Sequence, residues 1–99
     1  MQVNFKLKIP KADYEKAMLD AAPKFGANGD FKGLLWKIWL INETEKSAGG
    51  IYLFEDDAAC KTCADTVLMT LKSNPAVSDI EAKVSDILPE HTKITRGPV

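Results

Sequence analysis

Ninety-nine residues, 45% hydrophobic and 27% charged, make one soluble globular domain with a single core and exclude a larger multidomain machine. Thirteen Lys and Arg are interspersed with 14 Asp and Glu, so no concentrated basic face exists for a nucleic-acid backbone. No apolar run approaches the roughly 20 residues that span a bilayer, and the start MQVNFKLKI alternates where a signal peptide is continuously apolar; a cytoplasmic protein with no nucleic-acid or membrane partner is expected.

Val3, Phe5, Leu7 and Ile9 alternate with Gln2, Asn4, Lys6 and Lys8, the period of a first strand that Pro10 ends. Tyr14, Ala17, Met18, Ala21 and Phe25 then form the apolar stripe of an amphipathic helix. Pro23 interrupts that stripe. It removes a backbone donor and crowds the preceding turn, so the helix should bend or stop near Ala22. Gly26–Lys32, with Asn28, Gly29 and Asp30, is a turn-rich connector.

Two apolar runs follow, Gly33–Ile41 and Gly49–Phe54, around the polar segment Asn42–Ala48. Their Trp, Ile, Leu, Tyr and Phe content predicts two strands joined by a hairpin loop. The first run is unusual. A strand with one wet face alternates apolar with polar residues, whereas here Lys37 is the only charge and both faces leave water.

Asp56 or Asp57 can cap a second helix, whose apolar face is Cys60, Cys63, Ala64, Val67, Leu68 and Leu71. Asn74-Pro75 stops it. Ile80, Ala82 and Val84 alternate with Asp79, Glu81 and Lys83 in a last strand running to about Ile87. The domain therefore covers residues 1–88, and 89–99 form a C-terminal arm or tail.

The order β-α-β-β-α-β is that of an α+β, ferredoxin-like fold with a four-stranded antiparallel sheet. Two helices cover one face of such a sheet. The second face of Gly33–Ile41 then needs a partner, and a second copy of the chain related by a two-fold axis is the economical one. A homodimer whose sheets enclose a shared barrel is expected.

The stretch GLLWKIW, the connector and AGGIYLF resemble the YdhR-type mono-oxygenase family, within the dimeric α+β barrel superfamily of antibiotic-biosynthesis-type mono-oxygenases. The resemblance runs from about Val3 to Ile87 and includes Pro23. It implies a dimeric barrel with a pocket in each subunit between sheet and helices. It also implies oxygenation of an aromatic or polyketide-like compound without metal, flavin or other cofactor. It says nothing of the CKTC segment or of the chain after Leu88.

Several side chains are candidates for that chemistry. An ionised phenol or enol can itself reduce dioxygen, so the protein must supply a dry pocket, a donor to developing negative charge and a proton acceptor. Tyr52 or the Trp36 indole would donate, Lys6 would hold the anion, and Asn4, Trp39 and Phe54 would complete the ligand site. With an even hairpin register, Trp36, Ile38, Tyr52 and Phe54 share one face while Lys37, Trp39, Ile51 and Leu53 share the other, unless Gly49-Gly50 inserts a bulge. Asn4 and Lys6 either line a polar pocket or reach solvent. Cys60 and Cys63 lie on the apolar stripe beyond the helix start, which suits core thiols better than redox chemistry. One cysteine pair and one histidine, His91, also fall short of a zinc site. A cofactor-free cyclase or isomerase, and a non-enzymatic ligand-binding or stress-associated dimer, are the alternative readings.

Overall fold

The computed structural model describes residues 1–99. Strand β1, Gln2–Leu7, runs into helix α1, Lys11–Ala21, and Pro23 converts the helix into a tight 3-10 turn over Ala22–Phe25. Strands β2, Leu34–Asn42, and β3, Ser47–Phe54, form the hairpin. Helix α2, Asp57–Lys72, begins where the Asp56 carboxylate accepts the Ala59 N–H at 2.8 Å, a side-chain cap on an otherwise free donor. Strand β4, Val77–Lys83, and a short helix α3, Pro89–Ile94, complete the chain.

The strands form one antiparallel sheet in the order β2-β3-β1-β4. This is the ferredoxin-like arrangement, with β1 central between β3 and β4. Val3, Phe5 and Leu7 point to the helices and are buried, while Gln2, Asn4 and Lys6 point away and are exposed. The core joins the buried side of β1 to Ala48, Tyr52 and Val77 of the sheet, Tyr14 of α1, and Cys63 and Val67 of α2. No element of the chain covers the opposite face as the helices cover this one.

The hairpin differs from the expected register. Its loop is Glu43–Lys46, which pairs Asn42 with Ser47, Lys37 with Tyr52 and Trp36 with Leu53. Partners across a strand pair share a face. Lys37, Trp39, Tyr52 and Phe54 therefore look toward the helices, and Trp36, Ile38, Ile51 and Leu53 look away. The irregularity is not at Gly49-Gly50 but at Leu35, where the register shifts between Leu34 and Trp36 and Leu35 is left 57% exposed. Gly33 precedes this bulge at φ 83, with α2 so close that a Cβ would stand 2.6 Å from that of Ala59.

The C-terminal region also differs. β4 ends at Lys83 rather than near Ile87, and the arm contains α3. Beyond it the chain returns to the sheet, where the Trp36 indole N–H donates to the Pro98 carbonyl at 2.9 Å.

Candidate active site

Between the sheet and the helices lies a cleft of about 240 Å³. Its sheet wall is Phe5, Lys37, Trp39 and Tyr52, and its other walls come from α1, the 3-10 turn and α2. Pro23 matters here: by ending α1 it swings Phe25 back toward the hairpin. Phe25 meets the Trp39 ring edge-to-face at 5.4 Å and 88°, and lies against Phe31 at 4.9 Å. Phe54 stacks parallel to Tyr52 at 6.1 Å, outside the cleft.

The amine of Lys37 sits in the corner that these rings make. Its Nζ lies 3.3 Å from the Trp39 ring centre, 3.7 Å from that of Phe25 and 4.7 Å from that of Tyr52. No carboxylate pairs with it; the one side-chain ion pair of the chain joins Lys11 to Glu15 on the surface. Burial lowers the Lys37 pKa to about 7 from 10.5, and the Cys63 thiol facing it from α2 pulls weakly the other way. The ring faces attract a cation and also oppose that drop. Gly50 makes the placement possible: a Cβ there would come within 2.9 Å of Lys37 Cε and 3.3 Å of Tyr52 Cε1.

Two phenols share the site. Desolvation pushes Tyr14 up to about 12 and raises Tyr52 further, so both stay protonated as donors. Neither hydroxyl bonds within the chain, and no buried side-chain oxygen or nitrogen is left unpartnered, so both hydroxyls keep accessible surface, on side chains that line the cleft. Exposed Lys24 and Asp30 lie toward its mouth.

Of the side chains expected from sequence to form one site, Tyr52 and Trp39 meet in the cleft. Lys6, Asn4 and Trp36 do not. They project from the other side of the sheet, so the grouping of Lys6 with Tyr52 around one ligand does not form. The helices cover only the Val3, Phe5 and Leu7 side of β1, which leaves Asn4 and Lys6 solvated instead of lining a polar pocket. Lys37 takes the position expected of Lys6, and its sequence signal was its isolation: one charge in a strand with no wet face.

Cys60 and Cys63 are both buried in the α2 stripe, and burial raises the Cys63 thiol pKa to about 11, the state of a core thiol. His91 is exposed on α3, away from the cleft. No group of three or more His, Cys, Asp and Glu side chains is arranged to hold a metal ion. No helix is long and apolar enough to cross a membrane.

The fold is that of an α+β domain of ferredoxin-like topology with a ring-lined cleft between sheet and helices. Residues 1–98 match the family described as Putative mono-oxygenase ydhR, and the chain belongs to that family. No curated protein matches the chain closely enough to count as a relative.

Proposed function

We propose that the cleft oxygenates a small aromatic hydroxyl compound without a metal or organic cofactor. The observation that carries this reading is a ring-lined cleft with two unpartnered phenol donors in a chain of a mono-oxygenase family. A planar ligand fits against Trp39 and Phe25, whose perpendicular rings offer it both a stacking face and an edge. Once ionised, the ligand passes electrons to dioxygen. The balanced outcome is ring hydroxyl compound plus O2 giving quinone plus water, with the substrate as reductant. The Tyr52 hydroxyl donates to the oxyanion as charge shifts onto oxygen, in a site from which most water is excluded. Oxygen-electrode recordings with a panel of phenols and naphthols test this. Uptake matched one-to-one by quinone supports it. Substrate loss without oxygen uptake would point instead to a cyclase or isomerase, and binding without turnover to a carrier.

The same reading includes a homodimer. The chain exposes 7150 Å², over a quarter more than the roughly 5,600 Å² expected of a monomer of its mass. The excess includes the open side of the hairpin, where Leu35 and Ile38 are 57% and 47% exposed beside Leu40, Ile51 and Leu53. A stable isologous interface buries about 800 Å² per partner, less than this excess. Sizing chromatography or sedimentation at micromolar concentration should give the mass of two chains.

A further inference from the structure

A lysine largely withdrawn from water normally has a carboxylate beside it, or it is costly to keep. Lys37 has none, yet it lies in the cleft wall rather than in the sealed core, hemmed by three aromatic faces. A ligand entering the cleft can complete it. The cation that the rings attract lacks an anion, and the neutral amine that burial favours lacks a proton; a single partner that brings both is an acidic hydroxyl.

We propose that Lys37 is the proton acceptor and anion anchor of the site: its neutral amine takes the proton from an acidic ring hydroxyl of the ligand, and the ammonium so formed stays paired with the resulting oxyanion. The step is balanced, with an O–H bond broken, an N–H bond formed and no redox partner required. It rests on the small-aromatic reading of the cleft and adds to it the residue and the ionisation state in which the ligand is held.

Two features of the geometry favour proton transfer over the other use of an activated lysine, covalent imine formation. First, Nζ lies 3.3 and 3.7 Å from two perpendicular ring faces, which leaves room for a hydrogen-bonded oxygen and little for a tetrahedral carbon bonded to nitrogen. Second, Tyr52 lines the same space, its ring centre 4.7 Å from Nζ, and offers a hydroxyl donor to the same oxyanion. The volume adds a size limit. About 240 Å³ is below the roughly 300–1,000 Å³ typical of drug-sized ligands, which points to one or two fused rings rather than a polycycle.

The charged and titratable groups facing this space are Tyr14 from α1, Lys24 from the 3-10 turn, Asp30 from the connector, Tyr52 from β3 and Cys63 from α2. Tyr14, Tyr52 and Cys63 all have raised pKa values, and Lys24 and Asp30 are exposed. Lys37 is thus the group that changes charge near neutrality.

The experiment titrates the full chain with 4-nitrophenol and with 4-nitroanisole, which has the same ring but no ionisable hydroxyl. At a pH where the free phenol is mostly protonated, bound 4-nitrophenol should show the visible absorption of its anion. Lys37→Met should remove that absorption and weaken 4-nitrophenol binding by about tenfold or more, leaving 4-nitroanisole binding unchanged. In wild-type protein carrying ¹³Cε-lysine, the Lys37 signal at pH 8 should move to its protonated position on adding 4-nitrophenol and stay put with 4-nitroanisole. This last reading needs no variant. The proposal is overturned if the bound phenol remains colourless, if the Lys37 signal does not move, if Lys37→Met binds both compounds as wild type does, or if neither binds. Absence of oxygen uptake with a positive result here would remove the oxygenase reading and leave the ionising site standing.

Discussion

The two faces of the β2–β3 hairpin reverse the usual distribution of polarity. The helix-covered face holds a lysine and two aromatic residues with polar handles, Trp39 and Tyr52, whereas the open face holds Trp36, Ile38, Leu40, Ile51 and Leu53. A lone soluble domain would place the lysine outside and the aliphatic residues inside. The proposed function gives the two faces different work. On the proposed reading, half-buried polarity without internal partners serves a ligand site, and exposed apolar surface without internal cover serves an interface.

The largest effect that separates the two faces is on assembly. Ile38→Lys should leave the helix side untouched but bury an unpaired ammonium between two copies, weakening self-association by about a thousandfold. Sizing at micromolar concentration would then show one chain where wild type shows two. A variant that remains dimeric would place the contact elsewhere, and a monomeric wild type would remove the interface altogether.

Tyr52→Phe acts on the other face. It keeps the ring beside Lys37 and Phe54 and deletes one hydroxyl, so thermal unfolding should change little. Loss of a donor to developing negative charge should slow oxygen uptake by about a hundredfold. Unaltered uptake would limit Tyr52 to packing and direct attention to Tyr14, the second unpartnered phenol of the cleft.

Much of this architecture is legible in the sequence. The alternation Val3, Phe5, Leu7 specifies both the strand and its buried side, Pro23 marks the end of α1, and Asp56 caps α2. What is not legible is the pairing of faces in the hairpin. The absence of polar alternation in Gly33–Ile41 shows that both faces leave water, but it also removes the marker that would show which residues face together. A two-residue periodicity flips with a one-residue slip. Here the outcome depends on the length of the Glu43–Lys46 loop and on the bulge at Leu35, neither of which composition constrains. The misplacement of Lys6 has a related cause: its side of β1 is legible from the alternation, but the side of Tyr52 depends on the hairpin pairing. Gly50 is likewise understandable only once Lys37 and Tyr52 are seen on either side of it.

Stability against pH gives a smaller effect that is specific to the helix-covered face. Lys37 loses its proton near pH 7 when folded and near 10.5 when unfolded. Between those values the unfolded chain binds the additional proton, so folding becomes more favourable as pH rises. Cys63, raised from 9.0 to about 11, acts in the opposite sense, but only above pH 9, and the tyrosines do so higher still. The window from pH 7 to 9 is therefore governed by Lys37. Allowing for its contact with cleft water, wild type should gain about 1–2 kcal/mol across it. Lys37→Met should lack that slope in denaturant titrations. Parallel profiles for the two proteins would show that the amine is as well solvated in the fold as outside it.

The smallest effect is expected on the open face, where the terminal segment meets the sheet. Trp36→Phe keeps an aromatic ring on the open face and removes the N–H that donates to Pro98. A single partly exposed hydrogen bond contributes about 0.5–1.5 kcal/mol net, so global stability should fall by no more than that. Local opening is a more sensitive measure, because a segment held by few contacts exchanges without unfolding the rest. Amide exchange over Thr95–Val99 should therefore accelerate by about tenfold, while 4-nitrophenol binding in the cleft stays as in wild type. The two faces are separated by the sheet, with Trp36 on one side and Lys37 on the other. If loosening the terminal segment altered binding in the cleft, the faces would be coupled, and the division between ligand site and interface would have to give way to a single site that spans both.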